Sequence, residues 1–137
     1  MDFSGFNFGE LIVSAIVAFS LGYFWYGDFL FGRKWRELNG FTGDAQNGHK
    51  PIVYVLALVC FFIVAWFLSI FSEIAMMLGT KALYAGLFGL FLCIGFVGTT
   101  FGINYAFSGK PLKLYLIDLG YFIVSFFVIG LIVGAWY

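Results

Sequence analysis

Four long apolar runs, separated by short polar links, constrain the fold of this chain more than any other feature. The runs cover residues 8–26, 51–72, 82–106 and 111–136. Each has roughly the 20 residues that a helix needs to cross the hydrocarbon core of a bilayer. In a chain of 137 residues, the runs leave no room for a separate soluble domain. The sequence therefore predicts an all-α, polytopic membrane protein, with four transmembrane helices in a single membrane domain of residues 1–137.

The composition agrees with a membrane environment. Hydrophobic residues make up 63% of the chain and charged residues 10%, and the mean hydropathy is +1.01. A chain with so few charges has too little polar surface to cover a soluble globule. We therefore expect the lipid bilayer to be its main partner, and we expect no nucleic-acid partner.

The basic residues collect on one side of the predicted bundle. Lys81 lies in the link after the second run, whereas the links after the first and third runs carry Arg33, Lys34, Arg36, Lys50, Lys110 and Lys113. Because basic residues accumulate in cytoplasmic loops, both of the latter links are expected inside. This predicts a multi-pass protein of the cytoplasmic (inner) membrane with both termini on the outer side. Residues 1–8 lack the basic start of a signal peptide, so the first run should be retained.

A short interfacial helix is predicted at residues 28–38, with Asp28 as its N-cap. Trp35 shares one face with Phe31 and Leu38, which suits a helix lying on the membrane surface. A lipid-surface site is therefore a hypothesis for Arg33, Lys34, Arg36 and Trp35. Recognition of anionic lipid and simple anchoring of the topology are both compatible with this pattern.

Small residues recur at intervals of four in three of the runs. Such spacing lets helices approach closely, and the predicted packing positions are Ser14, Ala18, Gly22, Gly98, Gly102, Gly130 and Gly134. The pattern does not decide whether the partner helices belong to one chain or to neighbouring copies.

Asp118 is the most informative polar residue. It lies seven residues after Pro111, which places it about 10 Å along the fourth helix. A carboxylate costs about 2.5–3.5 kcal/mol at mid-bilayer unless it is paired, hydrated or protonated. A helical hairpin centred near Ser108 would bring polar groups of the third run level with it. The predicted pocket residues are therefore Asp118, Asn104, Thr100, Thr99, Tyr105 and Tyr121.

Two interpretations of Asp118 stay open at this point. In the first, water reaches the pocket, and Asp118 binds a cation or exchanges a proton. In the second, Asp118 is a hydrogen-bonded tie between the last two helices. Glu10 is expected to reach the headgroup water rather than act as a second intramembrane acid, because depth sets the cost of burial.

Catalytic chemistry is not indicated. The sequence has no nucleophile and base pairing, no phosphate-binding loop and no cluster of metal or haem ligands. We therefore predict that the protein is not an enzyme and has no metal, no cofactor and no catalytic residue.

A set of short motifs along nearly the whole chain is similar to a known family. The motifs are Trp25-Tyr26, Leu30-Phe31-Gly32, Trp35, Leu38, Gly40, Gly95-Phe96-Val97, Thr99-Thr100, Asn104-Tyr105, Pro111-Leu112-Lys113, Ile117-Asp118, Gly120-Tyr121 and Gly134-Ala135-Trp136. Together they resemble the bacterial membrane proteins grouped as domain of unknown function family 1761. The resemblance implies a four-helix integral membrane protein with no established activity. Many relatives have an ionisable histidine where this chain has Phe122, which argues against a two-residue proton relay with Asp118.

Two functions from different classes follow from these observations. One is a homo-oligomeric transport or channel protein with a polar pocket near the cytoplasmic side. The alternative is a structural or accessory membrane subunit, joined to itself or to a larger complex, in which Asp118 only ties helices together.

Overall fold

A computed structural model describes residues 7–41, 50–75 and 81–136 of the chain, and this part is helical without strands. The elements are α1 (Phe8–Trp25), α2 (Gly32–Leu38), α3 (Pro51–Ala75), α4 (Lys81–Leu92), a π-helical segment (Cys93–Gly98), α5 (Thr99–Phe107) and α6 (Leu112–Trp136). The segments long and apolar enough to cross a membrane are Phe8–Trp25, Pro51–Ser72, Ala82–Phe107 and Leu112–Trp136. These agree with the predicted spans to within one residue at each end. The all-α, multi-pass fold class is therefore confirmed.

Helix α6 packs against α1, α3 and α4. Its side chains Ile129 and Val133 are fully buried, and they meet Leu11 and Ala18 of α1 and Ala65 of α3 in the main core cluster. Large apolar side chains on the other faces of the bundle remain exposed, which suits contact with lipid rather than with water.

Helices α4 and α6 approach so closely that glycine is required at the contact. A Cβ atom on Gly89 would lie 2.4 Å from the carbonyl oxygen of Phe126, and one on Gly130 would lie 2.4 Å from that of Ala85. Both contacts are with backbone atoms, which cannot move aside by changing rotamer. The two helix backbones are therefore in direct contact within one chain.

The other predicted packing positions are distributed over the bundle. Ser14, Ala18, Gly98 and Gly134 are buried. A Cβ atom on Gly22 would lie 2.7 Å from the hydroxyl oxygen of Tyr121. Gly102 is less crowded, because its nearest neighbour would be the Tyr115 ring and hydroxyl at ordinary contact distance.

Helix α2 begins later than the sequence predicts. Residues 28–31 form a turn, and the helix begins at Gly32, with Phe31 as its N-cap and no side-chain capping bond. The expected capping role of Asp28 is therefore wrong, and its carboxylate instead accepts a hydrogen bond from Arg36. Gly32 packs directly on the preceding turn, since a Cβ atom there would lie 2.2 Å from the carbonyl oxygen of Tyr26. This contact holds α2 against the end of α1.

The third predicted span is divided by the π-helical segment, which the sequence does not reveal. Thr99 Oγ1 donates hydrogen bonds to the carbonyl oxygens of Gly95 and Phe96, at 2.7 and 3.2 Å. A π segment carries extra residues in a turn and so changes the face that the following helix presents. The segment therefore sets the rotation of α5 relative to α4.

Glu10 differs from its expected position in headgroup water. Its side chain is 0% exposed, and Ser69 Oγ of α3 donates a hydrogen bond of 2.6 Å to Glu10 Oε1. The hydroxyl of Ser72 continues this group by donating to the Ser69 carbonyl oxygen at 2.8 Å. Glu10 is therefore part of the contact between α1 and α3.

Candidate functional site

The Asp118 carboxylate accepts hydrogen bonds from three side chains of three different segments. The Tyr26 hydroxyl and the Trp35 indole N–H donate to Oδ1, at 2.7 and 2.9 Å, and the Tyr105 hydroxyl donates to Oδ2. Hydrogen bonds to an ionised carboxylate are stronger than those between neutral groups. The three donors use most of the roughly four acceptor positions of the carboxylate. Asp118 is 8% exposed, so its polar contacts are mainly with protein.

Each donor is positioned by local structure. Tyr26 caps the C-terminal end of α1, where its N–H donates to the Gly22 carbonyl oxygen at 2.9 Å. Trp35 is carried by α2, which the tight contact at Gly32 holds against α1. Tyr105 lies on the side of α5 that faces α6, beside Tyr115 at a ring-centroid distance of 5.8 Å. Asp118 therefore joins the end of α1, α2 and α5 to α6.

A second contact reinforces the same junction. Trp25 Nε1 donates a hydrogen bond of 3.0 Å to the Ile117 carbonyl oxygen. The Trp25 ring also covers Gly120, where a Cβ atom would lie 2.9 Å from it. Consecutive residues of the chain, Trp25 and Tyr26, thus bind consecutive residues of α6.

The predicted neighbours of Asp118 lie in different places. Thr99, Thr100 and Asn104 are exposed, and the Thr99 hydroxyl bonds its own helix. Tyr121 is buried, and its hydroxyl donates to the Ala18 carbonyl oxygen at 2.8 Å. Of the residues predicted to surround Asp118, Tyr105 is the one that forms a hydrogen bond with its carboxylate. This corrects the predicted neighbours: the face that α5 turns toward α6 carries Phe101, Gly102 and Tyr105.

Charged groups of α2 lie just outside this junction. Arg36 pairs with Asp28, with the two side chains 24% and 67% exposed, and Lys34 pairs with Glu37 at 3.2 Å. The hydrogen bond and the positive charge of Arg36 hold the pKa of the Asp28 carboxyl below its usual value. The pair is therefore charged at neutral pH, although an ion pair this exposed to solvent contributes little to stability.

A groove opens between α1, α3 and α6 next to the Asp118 junction. It encloses about 630 Å³. The walls are mainly apolar and aromatic, while Tyr26, Trp35 and Arg36 lie at its α2 end. Along α3 the lining runs from Val53 to Val64, a length of about 16 Å at the rise of an α-helix. The groove therefore reaches roughly halfway across a hydrocarbon core of about 30 Å.

The family described as "Protein of unknown function (DUF1761)" matches residues 10–134. The chain belongs to this family. Neither the comparison with curated proteins nor that with solved structures gives a match. Membership in DUF1761 confirms the resemblance seen in the sequence motifs and assigns no activity.

Sequence reasoning did not assign Tyr26 and Trp35 to Asp118. The sequence places Trp35 on the apolar face of a membrane-surface helix, a position that suits an indole group, and it gives Tyr26 no partner. A signal was present, because both residues are among the DUF1761 motifs, as are Tyr105 and Asp118. Among the residues that the structure describes, no group of three or more His, Cys, Asp or Glu side chains could hold a metal ion.

Proposed function

We propose that this DUF1761 protein binds a lipid-like amphiphile, whose apolar chain occupies the groove between α1, α3 and α6. The observation that carries the proposal is the groove itself. Its volume of about 630 Å³ lies within the range of about 300–1,000 Å³ of pockets that bind small molecules. A mainly apolar wall with a few polar groups at one end is the usual composition of such a pocket.

The position of the groove favours an amphiphile over a water-soluble ligand. All three bounding helices are long and apolar enough to cross a membrane. A molecule that enters from the side would come from the bilayer and would lie with its chain along α3. Its polar end would then meet Tyr26, Trp35 and Arg36, where α2 closes the end of the groove.

In this proposal Asp118 ties helices together, as in the accessory-subunit interpretation of the sequence. Its donors Tyr26 and Trp35 also line the groove, so the tie fixes the wall that a ligand touches. A binding protein benefits from such a preformed wall, because less ordering accompanies binding.

The transport or channel function remains a second proposal, with Asp118 as the proton or cation site. It requires the carboxylate to release at least one of the donors Tyr26, Trp35 and Tyr105 during turnover. The burial of Asp118 supports it, since ionisable residues within spans are commonly functional.

Four other predictions from the sequence likewise remain proposals. They are residence in the cytoplasmic membrane, termini on the outer side, self-association and the absence of enzymatic activity.

Alkylation of Cys60 tests the proposed groove. Cys60 lines the groove and is exposed, whereas Cys93 is fully buried. In delipidated protein in detergent, N-ethylmaleimide should modify Cys60 in preference to Cys93. Phospholipid added at ten times its dissociation constant should slow this modification about tenfold, because the occupied fraction is protected.

A matched position outside the groove provides the control. Ile103 is exposed on α5 and does not line the groove. In a Cys60→Ala background, the thiol of an Ile103→Cys variant should react at the same rate with and without lipid. Equal protection of both positions, or none at Cys60, would rule out the groove as the binding site.

A further inference from the structure

We infer that the groove selects an anionic phospholipid from the leaflet at the α2 end, with Arg36 binding its phosphate. This inference rests on the proposed function and adds the class of headgroup. Arg36 is the charged side chain among the described residues that line the groove, so no carboxylate of the lining opposes an anion.

The α2 end offers donors suited to a phosphate. The Arg36 guanidinium can form two parallel hydrogen bonds to phosphate oxygens, a geometry that lysine cannot reproduce. Trp35 and Tyr26 line the groove on the same side, although their polar hydrogens already bind Asp118. Arg33 and Lys34 on α2 add positive charge nearby, and such clusters attract anionic lipid surfaces.

Asp28, the ion-pair partner of Arg36, is easily replaced by a ligand. The side chain of Asp28 is 67% exposed and lies outside the groove lining. Because exposed ion pairs are weak, a phosphate seated in the groove can take over the guanidinium without leaving a buried charge unpaired. Asp28 would then return to water. Asp28 therefore competes with the headgroup for Arg36.

This competition predicts opposite effects for the two members of one ion pair. Arg36→Gln removes the anion-binding group, so affinity for phosphatidylglycerol should fall about tenfold, the lower end for a hydrogen bond to a charged group. Asp28→Asn removes the negative charge that attracts Arg36 and leaves only a neutral acceptor, so affinity for the same lipid should rise. If the pair mattered only for the fold of α2, both changes would weaken binding.

The measurement is protection of Cys60 from alkylation by phosphatidylglycerol or by zwitterionic phosphatidylcholine of the same chain length. Both lipids carry a phosphate, but phosphatidylcholine also carries a quaternary ammonium, which the positive charges of Arg33, Lys34 and Arg36 repel. Wild-type protein should therefore be protected at lower concentrations of phosphatidylglycerol, and Arg36→Gln should reduce the difference between the two lipids. Arg33→Gln is the control, because Arg33 is exposed and does not line the groove. It should change the preference by less than Arg36→Gln does.

The possible results separate the two proposals. Equal protection by both lipids in wild-type protein, or a loss of affinity in Asp28→Asn, would overturn the choice of headgroup and leave the groove as a lipid site. Protection by neither lipid would overturn the proposed function as well. A preference for anionic lipid that falls equally in Arg33→Gln and Arg36→Gln would assign it to the general charge of α2 and overturn the role of Arg36.

Discussion

Replacing Asp118 by Ala is expected to lower the free energy of unfolding by about 3–5 kcal/mol, because each buried donor that loses its acceptor costs about 1–3 kcal/mol. The change leaves three donors without their acceptor, on Tyr26, Trp35 and Tyr105. It also disconnects α2 and α5 from α6 at one point. Denaturant or thermal unfolding of the purified protein in detergent measures the effect.

The milder Asp118→Asn change distinguishes a structural role of Asp118, as a hydrogen-bonded link between helices, from a role as an ion or proton site. The amide oxygen can still accept from Tyr26 and Trp35, and the Tyr105 hydroxyl can rotate to accept from the amide N–H. We expect this variant to lose only about 1–2 kcal/mol. A transport role instead predicts that Asp118→Asn abolishes flux in proteoliposomes while the unfolding midpoint and oligomer size stay unchanged.

Asn104→Ala is the matched control for Asp118. The sequence places Asn104 beside the carboxylate, whereas the structure leaves its side chain exposed on α5. Surface changes of this kind usually alter stability by no more than about 0.5 kcal/mol. A loss as large as that of Asp118→Ala would restore the predicted pocket and contradict the observed donor set.

Gly130→Ala is expected to destabilise the bundle by about 3 kcal/mol, at the upper end for overpacking of a core. The new Cβ atom would lie 2.4 Å from the Ala85 carbonyl oxygen and 2.8 Å from the Gly86 Cα atom. Only a separation of the α4 and α6 backbones relieves this contact, and that separation loosens the surrounding core. The unfolding midpoint of the purified variant measures the loss.

Gly102→Ala provides the comparison on α5. The nearest atoms to its new Cβ would be those of Tyr115, at 3.6 Å or more, which is ordinary van der Waals contact. Since Ala favours a helix over Gly by about 1 kcal/mol, this change should be neutral or stabilising. A similar loss at both positions would mean that the two interfaces are equally tight, against the observed geometry.

The spans were predictable because lipid leaves the backbone few alternatives. Every peptide group inside a bilayer must be hydrogen-bonded within the protein, so a long apolar run becomes a helix. The ends followed from the same rule, and Pro51 begins α3 in the structure as it does in the sequence. Length and hydropathy therefore determine the helices to within one residue at most ends.

The rotation of helices about their axes was not predictable in the same way. Helical periodicity places Thr100 and Asn104 on one face and Gly98 and Gly102 on another, but it does not say which face meets α6. The π-helical segment before α5 also changes the rotation of α5 about its axis, and no residue of Cys93–Gly98 indicates this segment in the sequence. The sequence therefore predicts the burial of Asp118 correctly from its depth along the helix, but it assigns to Asp118 neighbours that face outward.

The remaining features depend on contacts between distant parts of the chain. Tyr26 and Trp35 lie 92 and 83 residues before Asp118, and helical periodicity does not connect such positions. The groove is harder still to predict, because it is a space left between α1, α3 and α6. Its lining residues have the same apolar character in the sequence as those that fill the core.

Native mass spectrometry of the purified protein tests the central claim, a lipid held in the groove, most directly. Wild-type protein released from detergent should retain one phospholipid, seen as a discrete mass increment that survives mild delipidation. Ala57→Trp places an indole in the groove, which Ala57 lines, and should abolish the increment without unfolding the protein. No retained lipid in wild-type protein, or the same increment in both proteins, would contradict the account.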